Sequence, residues 1–206
     1  MIEDEARAWV HGQFGDAGVA KLQQIAQIVI AESARQNLIA ASTIPEIWSR
    51  HLVDSAQLIL LARDAPGMWL DIGSGAGFPG LVVAALTERS VHLVEPRAKR
   101  AAFLVDAAAA LGIGSRVVVH ACRIESVRNA AQVISARAVA ALPTLLDAAL
   151  PCSTSNTLWL LPKGQSAHEE VANAERAWHG VFHVEQSITN PASQIVVARG
   201  VARRCK

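Results

Sequence analysis

Met68-Trp69-Leu70-Asp71-Ile72-Gly73-Ser74-Gly75-Ala76-Gly77-Phe78-Pro79-Gly80 decides how this chain is read. An apolar run ends on an acid, breaks into glycines and then opens a helix. Glycines at 73, 75 and 77 can take positive φ and carry no Cβ to block a ligand. Pro79 suits the first turn of a helix, where a missing N–H costs little. The product is a strand-loop-helix edge at which backbone can approach a nucleotide-like molecule. A dinucleotide loop is written Gly-x-Gly-x-x-Gly, and Gly73, Gly75 and Gly80 do not keep that spacing. The pattern here is Asp-x-Gly-x-Gly-x-Gly, from Asp71 to Gly77.

That pattern resembles the first motif of class I S-adenosylmethionine-dependent methyltransferases. The cofactor so implied, S-adenosyl-L-methionine, has no phosphate, so the loop need only pack against its methionyl-ribose part. Val91-His92-Leu93-Val94-Glu95 supplies a second apolar strand ending in an acid. It comes about 20 residues on, where a carboxylate accepts bonds from ribose hydroxyls. Two such strands bracketing a helix say more than a lone glycine motif. The plainer reading is an ordinary strand-to-helix turn followed by a surface glutamate.

The 206 residues suffice for one large domain with an appendage. Half the residues are apolar, so a sizeable core can form. A net charge of +1 excludes a broadly cationic coat for nucleic acid but leaves room for a local basic patch. No run of about 18 apolar residues escapes charge or proline, so no membrane span is expected. The acidic start, Met1-Ile2-Glu3-Asp4-Glu5, lacks the profile of a signal peptide. Cys122, Cys152 and Cys205 are odd in number and widely spaced. They point to a reducing cytoplasm and to neither a disulfide framework nor a zinc site.

Residues 1–66 read as a helical cap, and 67–206 as the Rossmann-like domain. Leu22, Ile25 and Val29 share one helical face, and Asn37-Leu38-Ile39 breaks that helix. Thr43-Ile44-Pro45-Glu46 resembles a capping box. The helix it would open carries Ile47, His51, Asp54 and Leu58 on one face, with Arg50 and Asp54 paired at i,i+4. Strands are then expected at 68–72, 91–95, 116–120, 132–135 and 157–161. Helices are expected at 79–88, 97–111, from about 125, at 142–149 and at 167–178. Two last strands, 181–187 and 194–199, pair as a hairpin. Alternating β and α predicts a parallel, doubly wound sheet with ligands beyond the C-terminal strand ends.

The residues at those ends are the candidates. Ile124 and Glu125, after the third strand, can flank an adenine and receive its amino group; alternatively Glu125 only favours a helix start. Arg137, at the tip of the fourth strand, is expensive to bury unless it is paired or faces a ligand. Its partner could be a methionyl carboxylate, a substrate phosphate, the face of a base, or a core acid such as Asp71. Lys163, after the fifth strand, is a phosphate contact or a solvated loop lysine.

The Asn/Asp-Pro-Pro-aromatic motif of exocyclic amine methylation is absent. Pro151-Cys152 lies between a helix and a strand and reads as a turn with a buried thiol, not a nucleophile. No metal cluster or Ser/His/Asp ordering is present, so no catalytic residue is named. Ring nitrogen 7 of guanine has a free lone pair and needs none of these; positioning would suffice.

Together these features resemble the 16S ribosomal RNA guanine-N7 methyltransferases of the RsmG (GidB) type. The resemblance rests on Asn37-Leu38, on Arg50-His51-Leu52-Val53-Asp54-Ser55, and on Asp71 to Gly80 with its Gly-Phe-Pro-Gly. It continues through Glu95, Lys99-Arg100, Phe103-Leu104, Arg123-Ile124-Glu125, Ser135-Ala136-Arg137-Ala138 and Lys163-Gly164. It implies a cytoplasmic enzyme that methylates one guanine in the decoding-region loop of 16S rRNA on the small ribosomal subunit. By that match Gly73, Gly75, Phe78, Ile124, Glu125 and Arg137 meet the cofactor, and Glu95 meets its ribose.

RNA contacts are less legible. Arg97, Lys99, Arg100, Arg123, Arg128, Arg199, Arg203, Arg204 and Lys206 are the candidates, against the default of a solvated basic face. With no tyrosine, a stacking platform is not expected. Lys163→Ala is expected to weaken RNA methylation and spare cofactor affinity. Two other classes remain: a small-molecule methyltransferase with a closed apolar pocket under the cap, and a non-catalytic ribosome-assembly factor that retains the fold.

Overall fold

A computed structural model describes residues 1–204. Cys205 and Lys206, counted above among the cysteines and the basic tail, lie outside the described residues. The strands are β1 (Trp69–Ile72), β2 (Val91–Val94), β3 (Val117–His120), β4 (Val133–Ala136), β5 (Leu158–Lys163), β6 (Trp178–Gln186) and β7 (Gln194–Arg203). They form one seven-stranded sheet in the order β3-β2-β1-β4-β5-β7-β6. β1 pairs in parallel with β2 on one side and β4 on the other, so the order in which strands are added reverses at β1. β7 runs antiparallel between β5 and β6. This is the class I methyltransferase sheet, with the terminal hairpin expected from residues 181–199.

The helices are α1 (Glu3–Gln36), α2 (Asp54–Leu61), α3 (Gly80–Leu86), α4 (Ala98–Ala110), α5 (Leu142–Ala149) and α6 (Ala167–Ala174). A mostly parallel sheet must be covered on both faces, and side-chain alternation along β1 shows how. Trp69 enters a core with Leu22, Ile25 and Val29 of α1, Leu58 of α2 and Leu81 of α3. Leu70 and Ile72 enter the opposite core with Leu145 of α5 and Ala167 of α6. The N-terminal helices therefore share their apolar core with one face of the sheet. Among the described residues, no helix is long and apolar enough to cross a membrane.

Within α1, Gly15 at φ 65 interrupts the helical backbone. Asn37 ends the helix in the left-handed conformation at φ 48, a cap that suits asparagine. The segment after it departs from expectation. Thr43 does not cap an α-helix; its hydroxyl donates to the Ala40 carbonyl at 2.8 Å within a 3-10 turn, Ala41–Glu46. A π-helical turn, Trp48–Val53, follows before α2 begins. The Glu3 carboxylate explains the shift. It accepts the Trp48 and Ser49 amides at 3.0 and 2.9 Å, doing from α1 what a local cap would do. Arg50 pairs with Glu46 at 3.1 Å rather than with Asp54, because Asp54 turns inward. The last helix stops at Ala174, before the expected 178, since Trp178 begins β6.

Candidate active site

The switch point between β1 and β4 opens the crevice in which such sheets bind ligands. Asp71, one residue before the end of β1, is fully buried. It accepts the Ser135 hydroxyl of β4 at 2.8 Å and the Gly80 amide of α3 at 3.1 Å. Ser135 in turn accepts the Trp69 indole N–H at 2.8 Å. Burial pushes the Asp71 carboxyl up to about 6, against the opposing pull of these bonds. Asp71 thus ties two strands and a helix together beneath the glycine loop.

The loop itself hangs from β2. The amides of Gly73 and Ser74 both donate to the Val94 carbonyl, at 2.8 and 3.1 Å. The Gly75 amide donates to Glu95 Oε2 at 3.0 Å, and the Arg97 amide to Oε1 at 2.9 Å. Glu95 is 4% exposed and so is not a surface glutamate. Each of its oxygens has one protein partner, and a carboxylate accepts about four bonds, so acceptor capacity remains for hydroxyls. Gly73 sits at φ 68. A Cβ there would lie 2.6 Å from Cγ2 of Val139, in the segment after β4. Ile124 is buried in the core under α5, and Glu125 is exposed on a short 3-10 turn, Ile124–Ser126, not on a longer helix.

Phe78 and Arg137 meet the cap. The His51 ring stacks on Phe78 with centroids 5.1 Å apart and planes at 14°. The Arg137 guanidinium lies 5.5 Å from the Phe78 ring centroid. Its Nη1 donates to the Arg50 carbonyl at 3.1 Å and pairs with Asp54 Oδ2 at 3.5 Å, while Nη2 lies 3.1 Å from His51 Nδ1. The acid that answers Arg137 is therefore Asp54 of the cap, not Asp71. Asp54 also meets Gln57 of α2 and the Ser187 and Thr189 hydroxyls of the β6–β7 turn. Burial raises its carboxyl above the usual range, with Arg137 pulling the other way.

A cavity of about 870 Å³ opens between the cap, the ends of β4 and β5, and the β6–β7 turn. Its wall includes Ser49, Arg50, Arg137, Thr189 and Asn190. It adjoins the glycine loop rather than containing it. Lys163, expected free at this rim, is engaged: Nζ donates to the Ala140 carbonyl and to Glu170, both at 2.8 Å.

The GidB family profile, described as rRNA small subunit methyltransferase G, matches residues 18–202. The chain belongs to this family. The ribosomal RNA small subunit methyltransferase G of Rhizorhabdus wittichii is 47% identical to it, covering all of this chain and 96% of the relative. The protein of the same name from Zymomonas mobilis is 44% identical, covering 96% and 94%. Solved structures share the fold at low identity. A methyltransferase from Geobacter sulfurreducens aligns with TM-score 0.59 at 13% identity, over 85% of this chain and 87% of that one. An O-methyltransferase from Bacillus cereus, in complex with SAH, aligns with TM-score 0.59 at 11% identity, over 87% and 90%.

Of the residues that sequence reasoning singled out in this GidB-family chain, the structure joins Gly75 to Glu95 in the loop, and Phe78 to Arg137 beside His51. Sequence reasoning gave no role at the site to His51, Val139 or Glu170, and it paired Asp54 with Arg50 where the structure pairs it with Arg137. Arg137 was the signal for His51 and Asp54, because a buried guanidinium demands acceptors. Nothing local marks Glu170 as a partner of Lys163 on the preceding strand.

Proposed function

We propose that this chain transfers the methyl group of S-adenosyl-L-methionine to N7 of one guanine in the decoding-region loop of 16S rRNA, in the cytoplasm. Support comes from family membership and from one feature of the site: a cofactor-type glycine loop adjoins a polar cavity. The donor set fits the cofactor. Gly73 and Gly75 leave the loop edge low, and Glu95 keeps acceptor capacity for ribose hydroxyls. Glu125, on the turn that buried Ile124 anchors to the core, would meet the adenine with the backbone of that turn, and Phe78 with Arg137 would close the methionyl side. When bound, the cofactor supplies an electrophilic methyl group on sulfur.

The residues of this chain do the positioning. Arg137 is held from behind by His51, Asp54 and the Arg50 carbonyl, so its guanidinium is aimed without further ordering cost. Guanine N7 carries its own lone pair and loses no proton, so no general base is required of the site. The cavity wall sets Arg50, Arg137, Ser49, Thr189 and Asn190 beside Ala138, Val139 and Pro162, a mixed lining that offers a nucleotide both polar contacts and an apolar flank. Residues 1–66 act in this reading as a cap that roofs the substrate side of the 67–206 domain.

Small ribosomal subunits from cells lacking this protein, incubated with labelled S-adenosylmethionine, should gain a single 7-methylguanine in 16S rRNA. Methyl transfer to a catechol or amine with none to rRNA would overturn the assignment. Absence of cofactor binding would leave the assembly-factor reading instead.

A further inference from the structure

The segment joining β4 to α5 is held at both ends. On the cap side Arg137 is bound as described. On the other side Lys163 Nζ donates to the Ala140 carbonyl at 2.8 Å, and Glu170 Oε2 accepts both Lys163 Nζ and the Leu142 amide, at 2.8 and 2.7 Å. Glu170 Oε1 accepts the Ser166 hydroxyl at 3.0 Å. The two charged side chains are only 11% and 19% exposed. Alternate residues of the segment, 140 and 142, are therefore gripped by one ion pair projecting from β5 and α6.

Between these anchors the backbone is strained. Ala138 takes φ 55, a left-handed conformation that is unfavourable for an alanine and persists only where the surroundings impose it. The next residue, Val139, is 44% exposed, yet its Cγ2 stands 2.6 Å from the point a Cβ on Gly73 would occupy. Val139 is thus the side chain laid against the first glycine of the loop.

We propose that Lys163 and Glu170 are positioning residues for cofactor binding, holding Ala138–Leu142 so that Val139 forms a fixed wall at Gly73. The inference rests on reading the glycine loop as the S-adenosylmethionine site. Lys163 then acts on the cofactor through the segment, and not as a phosphate contact. A wall ordered in advance spares the ligand the entropy of ordering it. Loss of the clamp therefore weakens cofactor affinity, whereas the sequence alone led to the opposite expectation for Lys163.

The test combines hydrogen exchange in the cofactor-free chain with calorimetric titration of S-adenosylmethionine. Lys163→Met keeps the aliphatic stem and removes the donor; Lys163→Arg restores one. Expected for Lys163→Met are faster exchange of the Leu142 amide and about tenfold weaker binding, a loss of about 1.4 kcal/mol. Lys163→Arg should recover most of both, and Glu170→Gln should resemble Lys163→Met more mildly. Val139→Ala should also weaken binding, and adding Lys163→Met to it should cost little more, since both act through one contact. Wild-type affinity in Lys163→Met, or fully additive losses in the double variant, overturns the proposal. Failure of the wild-type chain to bind the cofactor overturns the reading of the loop itself, a result separable from Leu142 exchange, which reports the clamp alone.

Discussion

Arg137 at the end of β4 donates from Nη2 to Nδ1 of His51 in the cap, at 3.1 Å. A guanidinium only donates, so Nδ1 must be the unprotonated nitrogen. The ring proton then sits on Nε2, which lies 3.1 Å from the Thr43 hydroxyl. Thr43 passes its own hydrogen to the Ala40 carbonyl. One neutral imidazole thus links the strand tip to the irregular turn of the cap, with Phe78 stacked beneath it.

Burial, with Arg137 and Arg50 nearby, pushes His51 down to about 3 from its ordinary 6.5. Between those values the unfolded chain binds a proton that the folded chain refuses. Stability from this group therefore falls as pH drops below 6.5 and is intact above it. Nitrogen-15 spectra should show His51 as the Nε2–H tautomer, without titration, from about pH 5.5 to 8, the span in which an unperturbed imidazole would change charge. An imidazolium signal for His51 near pH 6 would contradict the arrangement. His51→Asn, which keeps an acceptor near Nδ1, should retain more methyl transfer than His51→Leu.

Asp71 gives the opposite slope. Its carboxyl is raised to about 6 from 3.8 while fully buried. Between those values the folded chain holds a proton that the unfolded chain has lost, so stability falls as pH rises, by about 3 kcal/mol in all. Urea unfolding at pH 4, 5, 6 and 7 should show this falling component in the wild type. Asp71→Asn should lack it, and the difference between the two curves isolates the group.

Gly80 opens α3 against Asp71 and β2. A Cβ there would lie 2.2 Å from Leu93 Cδ2 and 2.9 Å from Asp71 Oδ2. Gly80→Ala should destabilise by about 1–3 kcal/mol, through overpacking, and lower Tm by roughly 5 °C. Calorimetric melting checks this. An unchanged Tm would mean that the β1–α3 corner relaxes more freely than its contacts imply.

At Gly73 the obstacle is functional as well as conformational. Gly73→Val places branched carbon at φ 68 and against Val139. Binding of S-adenosylmethionine should be lost in calorimetry while the far-UV spectrum stays folded. Retained binding would remove Gly73 from the cofactor site.

Glu3 substitutes for a local cap. Its carboxylate accepts two amides and the Ser49 hydroxyl at the start of the π-helical turn. Glu3→Ala leaves those donors to water and should destabilise by about 1–2 kcal/mol. Glu3→Gln, which keeps an acceptor, should lose less in the same urea titration.

The order of elements was legible because its signals are local. Apolar runs of strand length, the Asp71–Gly80 turn, and the helical faces of Leu22, Ile25 and Val29 each lie within a short window. The 3-10 and π-helical turns at 41–53 were not legible. They depend on Glu3, some 45 positions away, while Pro45 and Thr43 suggested an ordinary helix start.

By itself the amino-acid order determined the sheet, the glycine loop and the two strand-end acids, since hydrophobic period and turn chemistry act between near neighbours. Tertiary structure alone decided which acid answers Arg137, that Val139 lies on Gly73, and that Lys163 is held by Glu170. Those are choices of partner for buried charge and strained backbone. Asp54 and Arg137 stand 83 positions apart, and only the folded chain, by excluding water around them, makes them partners.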